Sequence, residues 1–217
     1  MTESAECRSS SRSCARPLER AAAGAVAVEQ AGCSYNRYCR RVARSLAPGE
    51  WAVLAVVSEQ PTHGFAVARA LGPSGDIGRV WALSRPLVYR ALDHLVDAHL
   101  VEKGAAEPSV RGPRRTSVRA TTVGRRMVKR WLAEPVEHVR DVRSLLMLKL
   151  LFIERSGFDP KPLLDAQRDL LLPLAEALES RERGLSGFER TLVQWRLEST
   201  RAVLRFLAAA RGAAERT

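Results

Sequence analysis

From residue 48 onward the spacing of apolar residues changes period in a definite order. Residues 48–58, Pro-Gly-Glu-Trp-Ala-Val-Leu-Ala-Val-Val-Ser, are apolar on most faces of a helix, which predicts a largely buried helix that Gln60-Pro61 ends. A second short helix is expected over 62–71, with Thr62 as N-cap, Phe65, Ala68 and Leu71 facing inward, and Gly72-Pro73 as the stop. The Gly- and Ser-rich stretch 72–79 reads as a loop, and Trp81 and Leu83 lead into residues 84–97. There Ser84 is placed to cap, Pro86 is tolerated in a first turn, and Val88, Leu92 and Leu95, with Ala91 beside them, make one apolar face.

Residues 99–121 switch to strand period. Leu100-Val101-Glu102-Lys103 and Arg114 to Thr121 are strand-like on either side of the loop Pro108–Pro113, a hairpin with Arg111, Arg114 and Arg115 at and beside its tip. Thr121 then caps a fourth helix through Trp131-Leu132, and Pro135 interrupts the chain. Beyond it every local sign is helical. Residues 142–154 are apolar most of the way round, and 161–183 form a long helix with Pro173 inside it as an expected kink. In the last helix Leu185, Phe188, Leu192, Trp195, Ser199, Ala202, Phe206 and Ala209 are spaced 3-4-3-4-3-4-3. Such a seam wants a partner helix, in the same chain or in another subunit.

Two short helices, a turn, a third amphipathic helix and a hairpin make a mainly α winged helix-turn-helix with a two-stranded wing, followed by a helical, coiled-coil-like C-terminal domain. The expected limits are a basic, poorly ordered tail over 1–45, a winged-helix domain over 46–132 and a helical dimerisation domain over 133–212.

Charge sharpens this picture. The net charge of +11 is uneven: residues 1–46 carry 8 basic and 4 acidic groups, 47–132 carry 13 and 7, and 133–217 carry 14 and 13. A basic excess confined to the tail and the winged-helix region is the footprint of a polyanion binder. Nearly all the cations are arginine, which a GC-rich genome would produce as readily as recognition would.

Other classes find little footing. No apolar run approaches the roughly 18 residues of a membrane span, and no signal-peptide pattern is evident, so a cytoplasmic protein without membrane attachment is expected. Cys7, Cys14, Cys33 and Cys39 all lie in the tail, at spacings that match no zinc pattern and with no nearby His. No metal or cofactor is expected. His63, His94, His99 and His138 are scattered, and no Gly-rich phosphate loop or paired-carboxylate motif occurs, so no enzyme is expected.

In the helix over 84–97, Arg85, Tyr89 and Arg90 lie off the apolar face near its leading end. An arginine there can bond a guanine edge through two hydrogen bonds or neutralise a phosphate. A solvated surface helix is the ordinary alternative, as a solvated charged hairpin is for the wing.

Residues 48–155 resemble the PadR family of bacterial transcriptional regulators. Pro61-Thr62-His63-Gly64-Phe65 is similar to the family's Pro-x-His-Gly-Tyr, with Phe65 in place of Tyr. Trp81 through Ser84-Arg85 and then Val88-Tyr89-Arg90-Ala91-Leu92 resemble its recognition-helix signature. Arg111-Gly112-Pro113-Arg114 resembles its wing tip, and Thr121 with Gly124-Arg125 its turn from wing to helix. Trp131-Leu132, Arg140-Asp141 and Leu145 to Phe152 resemble its link to a helical C-terminal domain. Two departures stand out: Pro86-Leu87 replaces a Gly and a small residue before the apolar-Tyr pair, and His99 replaces the Gly that usually leads into the first wing strand.

The resemblance implies a winged helix, a homodimer held by C-terminal helices, and operator binding, usually as a repressor, with release by a small-molecule effector in some members. On that footing Arg85, Tyr89 and Arg90 are the expected major-groove residues. Ser84 and His63, near helix N-termini, are expected at phosphates, and Arg111, Arg114 and Arg115 on the duplex backbone. Leu185, Phe188, Leu192, Trp195, Ala202 and Phe206 are the expected dimer seam. Trp131 and Trp195 are candidates for lining an effector cleft, with core packing the commoner role for a Trp at helical spacing. The rival reading is a winged-helix protein-interaction or scaffold module that binds no specific DNA.

Overall fold

The computed structural model describes residues 46–107 and 115–215, all within one compact unit, Ser45–Thr217. The tail over 1–45, its four cysteines, and the wing-tip residues Arg111 and Arg114 lie outside the described residues.

Helix α1 (Pro48–Glu59) has every residue from Trp51 to Val57 buried, as its all-round apolar pattern requires. Its start is held by Pro48 in the first turn and by the Glu50 carboxylate, which accepts from the Ala47 N–H at 2.7 Å. A two-residue strand, β1 (Thr62–His63), follows, and only then helix α2 (Gly64–Ala70). The expectation of a helix from 62, capped by Thr62, is therefore corrected. Thr62 pairs with Val118 and His63 with Ser117 in an antiparallel ladder, so both are drawn into extended backbone and His63 becomes the N-cap.

The connection after α2 folds back on the helix end. Ile77 and Gly78 donate to the Ala70 carbonyl and Leu83 to that of Leu71, and Ile77 is fully buried beneath them. Gly78 is required there: a Cβ would meet the Gly72 carbonyl oxygen at 1.7 Å.

Helix α3 (Arg85–Asp97) buries Val88, Ala91, Leu92 and Leu95, the face its periodicity marks. It ends in a Schellman motif. Leu100 N–H donates to the Leu95 carbonyl and His99 N–H to that of Val96, with His99 at φ 55° between them and Leu95 and Leu100 both fully buried.

Strands β2 (Val101–Glu107) and β3 (Arg115–Ala120) form the wing, and with β1 they make a three-stranded sheet in the order β1-β3-β2. The register runs from Val101↔Ala120 to Glu107↔Arg115, with an irregularity between Lys103 and Ala106.

Helix α4 (Thr122–Ala133) starts from Thr121, whose hydroxyl accepts from Gly124 N–H at 3.1 Å and lies 3.0 Å from the His99 carbonyl it can donate to. A Cβ on Gly124 would sit 2.3 Å from the Leu100 carbonyl oxygen, so this corner admits no larger residue.

The stretch expected as one buried helix over 142–154 is two pieces, and with the turn before it the segment has three. They are a single turn α5 (Val139–Asp141), a π-helical turn (Val142–Leu146) and α6 (Met147–Arg155), with Val142, Leu146, Leu148, Phe152 and Ile153 buried. Helix α7 (Lys161–Glu182) continues through Pro173, and α8 (Gly187–Ala214) packs back along it. Their antiparallel register shows in three ion pairs: Arg190–Glu182, Arg201–Glu179 and Arg211–Asp165.

Lys149 and Arg155 clasp the C-terminal helices to the winged helix, beside a tryptophan stack within the winged helix and an amide bracket in the linker after α4. Trp51 and Trp131 stack with ring centroids 5.2 Å apart and planes within 3°. The Lys149 ammonium lies over the Trp131 ring, 5.1 Å from its centroid, and donates to the Glu134 carbonyl at the end of α4. Arg155 forks onto Glu59 with two bonds of 2.7 Å. Gln167, 0% exposed, receives Val136 N–H at 2.7 Å on its side-chain oxygen and donates its amide to the Val136 carbonyl at 2.9 Å.

Candidate nucleic-acid interface

With Val88, Ala91, Leu92 and Leu95 committed to the core, the leading half of α3 turns Arg85, Leu87, Tyr89 and Arg90 outward. Arg85 and Arg90 have no acidic partner among the described residues. Two acids of the same helix and of the wing are occupied. Asp93 pairs with Lys103 at 3.0 Å, and Glu102 pairs with Arg119 across the ladder at 2.9 Å. Glu50 takes His94 Nδ1 at 2.5 Å. The uncompensated positive charge of α3 therefore gathers at its N-terminal half, where the helix dipole adds to it.

Two aromatic residues shape this end. The Arg85 guanidinium lies over the Phe65 ring, 5.2 Å from its centroid, and Phe65 is itself exposed. Such stacking narrows the arginine's range of conformations without consuming its hydrogen-bond donors. Tyr89 lies against Gly64 so closely that a Cβ there would meet its ring at 2.8 Å. Sequence reasoning placed Phe65 on the inner face of a helix. The later start of α2, imposed by β1, brings it to the surface beside Arg85, and no local pattern signals a strand of two residues.

Ser84 is the N-cap of α3 by position and is exposed, but its side chain makes no capping bond. His63, at the start of α2, is half-buried, and its Nδ1 lies 3.4 Å from the Thr116 carbonyl of the wing. Arg115 belongs to β3 by its backbone pairing with Glu107.

Of the two tryptophans expected to share a cleft, Trp131 is buried in the stack with Trp51, whereas Trp195 is 70% exposed on α8 and lines a separate cleft between α5, α7 and α8. The seam residues Phe188, Trp195 and Phe206 are 76%, 70% and 38% exposed and Ala202 is exposed too, while Leu185 and Leu192 are partly buried. The face of α8 that packs on α7 carries Val193, Leu197, Thr200 and Leu207 instead. The aromatic seam is thus not the one satisfied within the chain.

Helix α3 with its leading arginines, the supporting helices α1 and α2, and the two-stranded wing define a winged helix. Residues 53–130 match the Transcriptional regulator PadR-like family. Among solved structures, Bacillus subtilis PadR in complex with operator DNA is similar over 75% of this chain and 97% of that one, at 17% identity and a TM-score of 0.39. No curated protein matches the chain at a significant level. Among the described residues no helix is long and apolar enough to cross a membrane, and no group of His, Cys, Asp and Glu is placed to hold a metal ion.

Proposed function

We propose that the chain is a sequence-specific regulator of transcription that binds operator DNA as a homodimer and acts as a repressor. The observation that carries this reading is the pair of arginines, Arg85 and Arg90, that have no acidic partner among the described residues and lie on the exposed leading half of α3, in a segment that matches a family of transcriptional regulators. Arg85, Tyr89 and Arg90 read base edges in the major groove. Ser84 and His63 meet phosphates at two helix starts, and the wing arginines Arg111, Arg114 and Arg115 hold the backbone.

The dimer brings two copies together through the exposed seam of α8, which places one α3 in each of two successive major grooves. Half-sites are then separated by about 10 base pairs or a multiple of it.

Selection of random-sequence duplexes by the purified chain at near-physiological salt tests this. Enrichment of a palindrome is the expected result, and Arg90→Ala should cost about 1–3 kcal/mol on that site with less effect on unrelated DNA. Retention of DNA with no enriched motif would leave a non-specific basic protein. No retention at all would favour a winged helix that docks on proteins.

A further inference from the structure

Helix α4 carries more unanswered positive charge than α3 does. Arg125, Arg126, Lys129 and Arg130 are all exposed on it, four of the 13 basic groups of residues 47–132 against two on α3, and α4 holds no acid. None of the four has an ion-pair partner among the described residues. Arg125 alone is engaged, donating to the Ala120 carbonyl at 2.6 Å and the Thr122 hydroxyl at 3.3 Å. DNA at the leading end of α3 does not account for them. Thr121, from which α4 starts, bonds to the His99 and Leu100 carbonyls just past the other end of α3, about 18 Å along that helix from Arg85. It also follows Ala120, at the end of the β2–β3 ladder opposite the tip. Beside these cations lies a groove of about 250 Å³ between α1, α4 and α6. Ala55, Val128, Leu132, Phe152 and Phe158 give it an apolar lining, Phe158 being 52% exposed, and Arg125 and Lys129 border it. Glu59, the acid in its wall, has both oxygens taken by Arg155.

The groove is smaller than the roughly 300–1,000 Å³ of small-molecule pockets, and its size suits an apolar side chain or two. Cations beside an apolar slot match a helix that carries acids on one face and apolar anchors on the other. A nucleic-acid duplex offers the negative charge but no side chain for the slot. We infer that α4 and this groove dock an acidic amphipathic segment of another protein, with an aliphatic or aromatic anchor against Phe158 and Val128 and carboxylates on Lys129, Arg126 and Arg130. Charge also decides what the occupant is not. A second copy of the chain carries +11, and residues 1–46 carry 8 basic and 4 acidic groups, so both are repelled from this face. The surface does not depend on the DNA-binding reading. Because it lies away from the leading end of α3, the chain can hold such a segment and an operator at once.

The test is fluorescence anisotropy of the full chain, without DNA, with short labelled helical peptides that bear glutamates on one face and leucine, phenylalanine or tryptophan anchors on the other. Two matched controls replace the glutamates by glutamine or the anchors by serine. One peptide per chain is expected, bound about tenfold or more tighter than either control. Lys129→Glu/Arg130→Glu should abolish the preference for the acidic peptide, and Phe158→Ser the preference for the anchored one. The melting temperature should stay unchanged, since all three residues are exposed. Arg85→Ala/Arg90→Ala should leave peptide affinity within about twofold, because those arginines lie at the far end of α3. Four outcomes would overturn the inference. They are equal binding of the peptide without anchors, no binding by any of the peptides, loss of binding in Arg85→Ala/Arg90→Ala, and displacement of the peptide from that variant by an unrelated duplex at near-physiological salt. The third would make the peptide a DNA mimic at α3, and the fourth would give the α4 face to nucleic acid. Failure of operator selection leaves the peptide result standing, and failure of peptide binding leaves operator selection standing.

Discussion

His99 adopts φ 55°, a conformation that costs a residue with a Cβ about 1–2 kcal/mol and glycine almost nothing. The turn tolerates it because both Schellman bonds and the Leu95–Leu100 burial hold the backbone there. His99→Gly should raise stability by about 0.5–1 kcal/mol, the relief being partly offset by the greater freedom of glycine in the unfolded chain. A higher urea midpoint at unchanged slope would show it.

Lys149 is the opposite kind of residue, a charge rather than a backbone angle held at a cost. It is 3% exposed, and burial lowers its pKa from 10.5 to about 8, against the smaller pull of Glu134 upward. Because the folded value is the lower one, the unfolded chain binds the extra proton between the two values. Folding stability should therefore rise with pH from about 8 to about 10.5, by at most about 1.4 kcal/mol per unit. Denaturation of the native chain and Lys149→Met across that range checks this: the rise attributable to Lys149 should vanish in the variant.

At the scale of elements, the Gln167 side chain does for residue 136 what a neighbouring strand would, satisfying both backbone groups of a buried residue in a linker that has no regular structure. Gln167→Leu fills the same space but leaves the Val136 N–H and carbonyl unpaired, and should cost about 2–4 kcal/mol in chemical denaturation. A loss below about 1 kcal/mol would mean that water replaces the amide.

The elements differ in how far local spacing foretells them. The apolar face of α3 and the capping of α4 by Thr121 follow from residues within one or two turns, and both were legible. Strand β1 was not, because its partner lies more than fifty residues away and two residues carry no period. The clasp by Gln167 was equally hidden, since a lone Gln on a helix ordinarily faces water. Helix α8 misleads for another reason. It has two apolar faces, and the larger aromatic residues mark the one that stays exposed, while smaller Val193, Leu197 and Thr200 make the contact with α7.

For the whole molecule, the exposed seam bears on assembly. Phe188→Glu/Phe206→Glu should convert a dimer to a monomer in sedimentation at equal protein concentration, with the urea midpoint of the isolated chain little changed because neither ring is buried within it. A wild-type chain that sediments as a monomer would remove the seam from the argument for a dimer. On DNA, loss of each phosphate-contacting arginine should flatten the log–log salt dependence by about one unit, which separates backbone anchors from base-reading residues.

The Trp51–Trp131 stack has an optical consequence. Two indole rings 5.2 Å apart and nearly parallel absorb as a coupled pair, so the packing of α1 on α4 within the winged helix should carry its own circular-dichroism band. An ammonium group sits over one of those rings and loses its proton near pH 8, so the emission of Trp131 should shift as Lys149 titrates. The winged helix thus has a built-in chromophore, and through Lys149 its emission reports, without any label, whether α6 still lies against it.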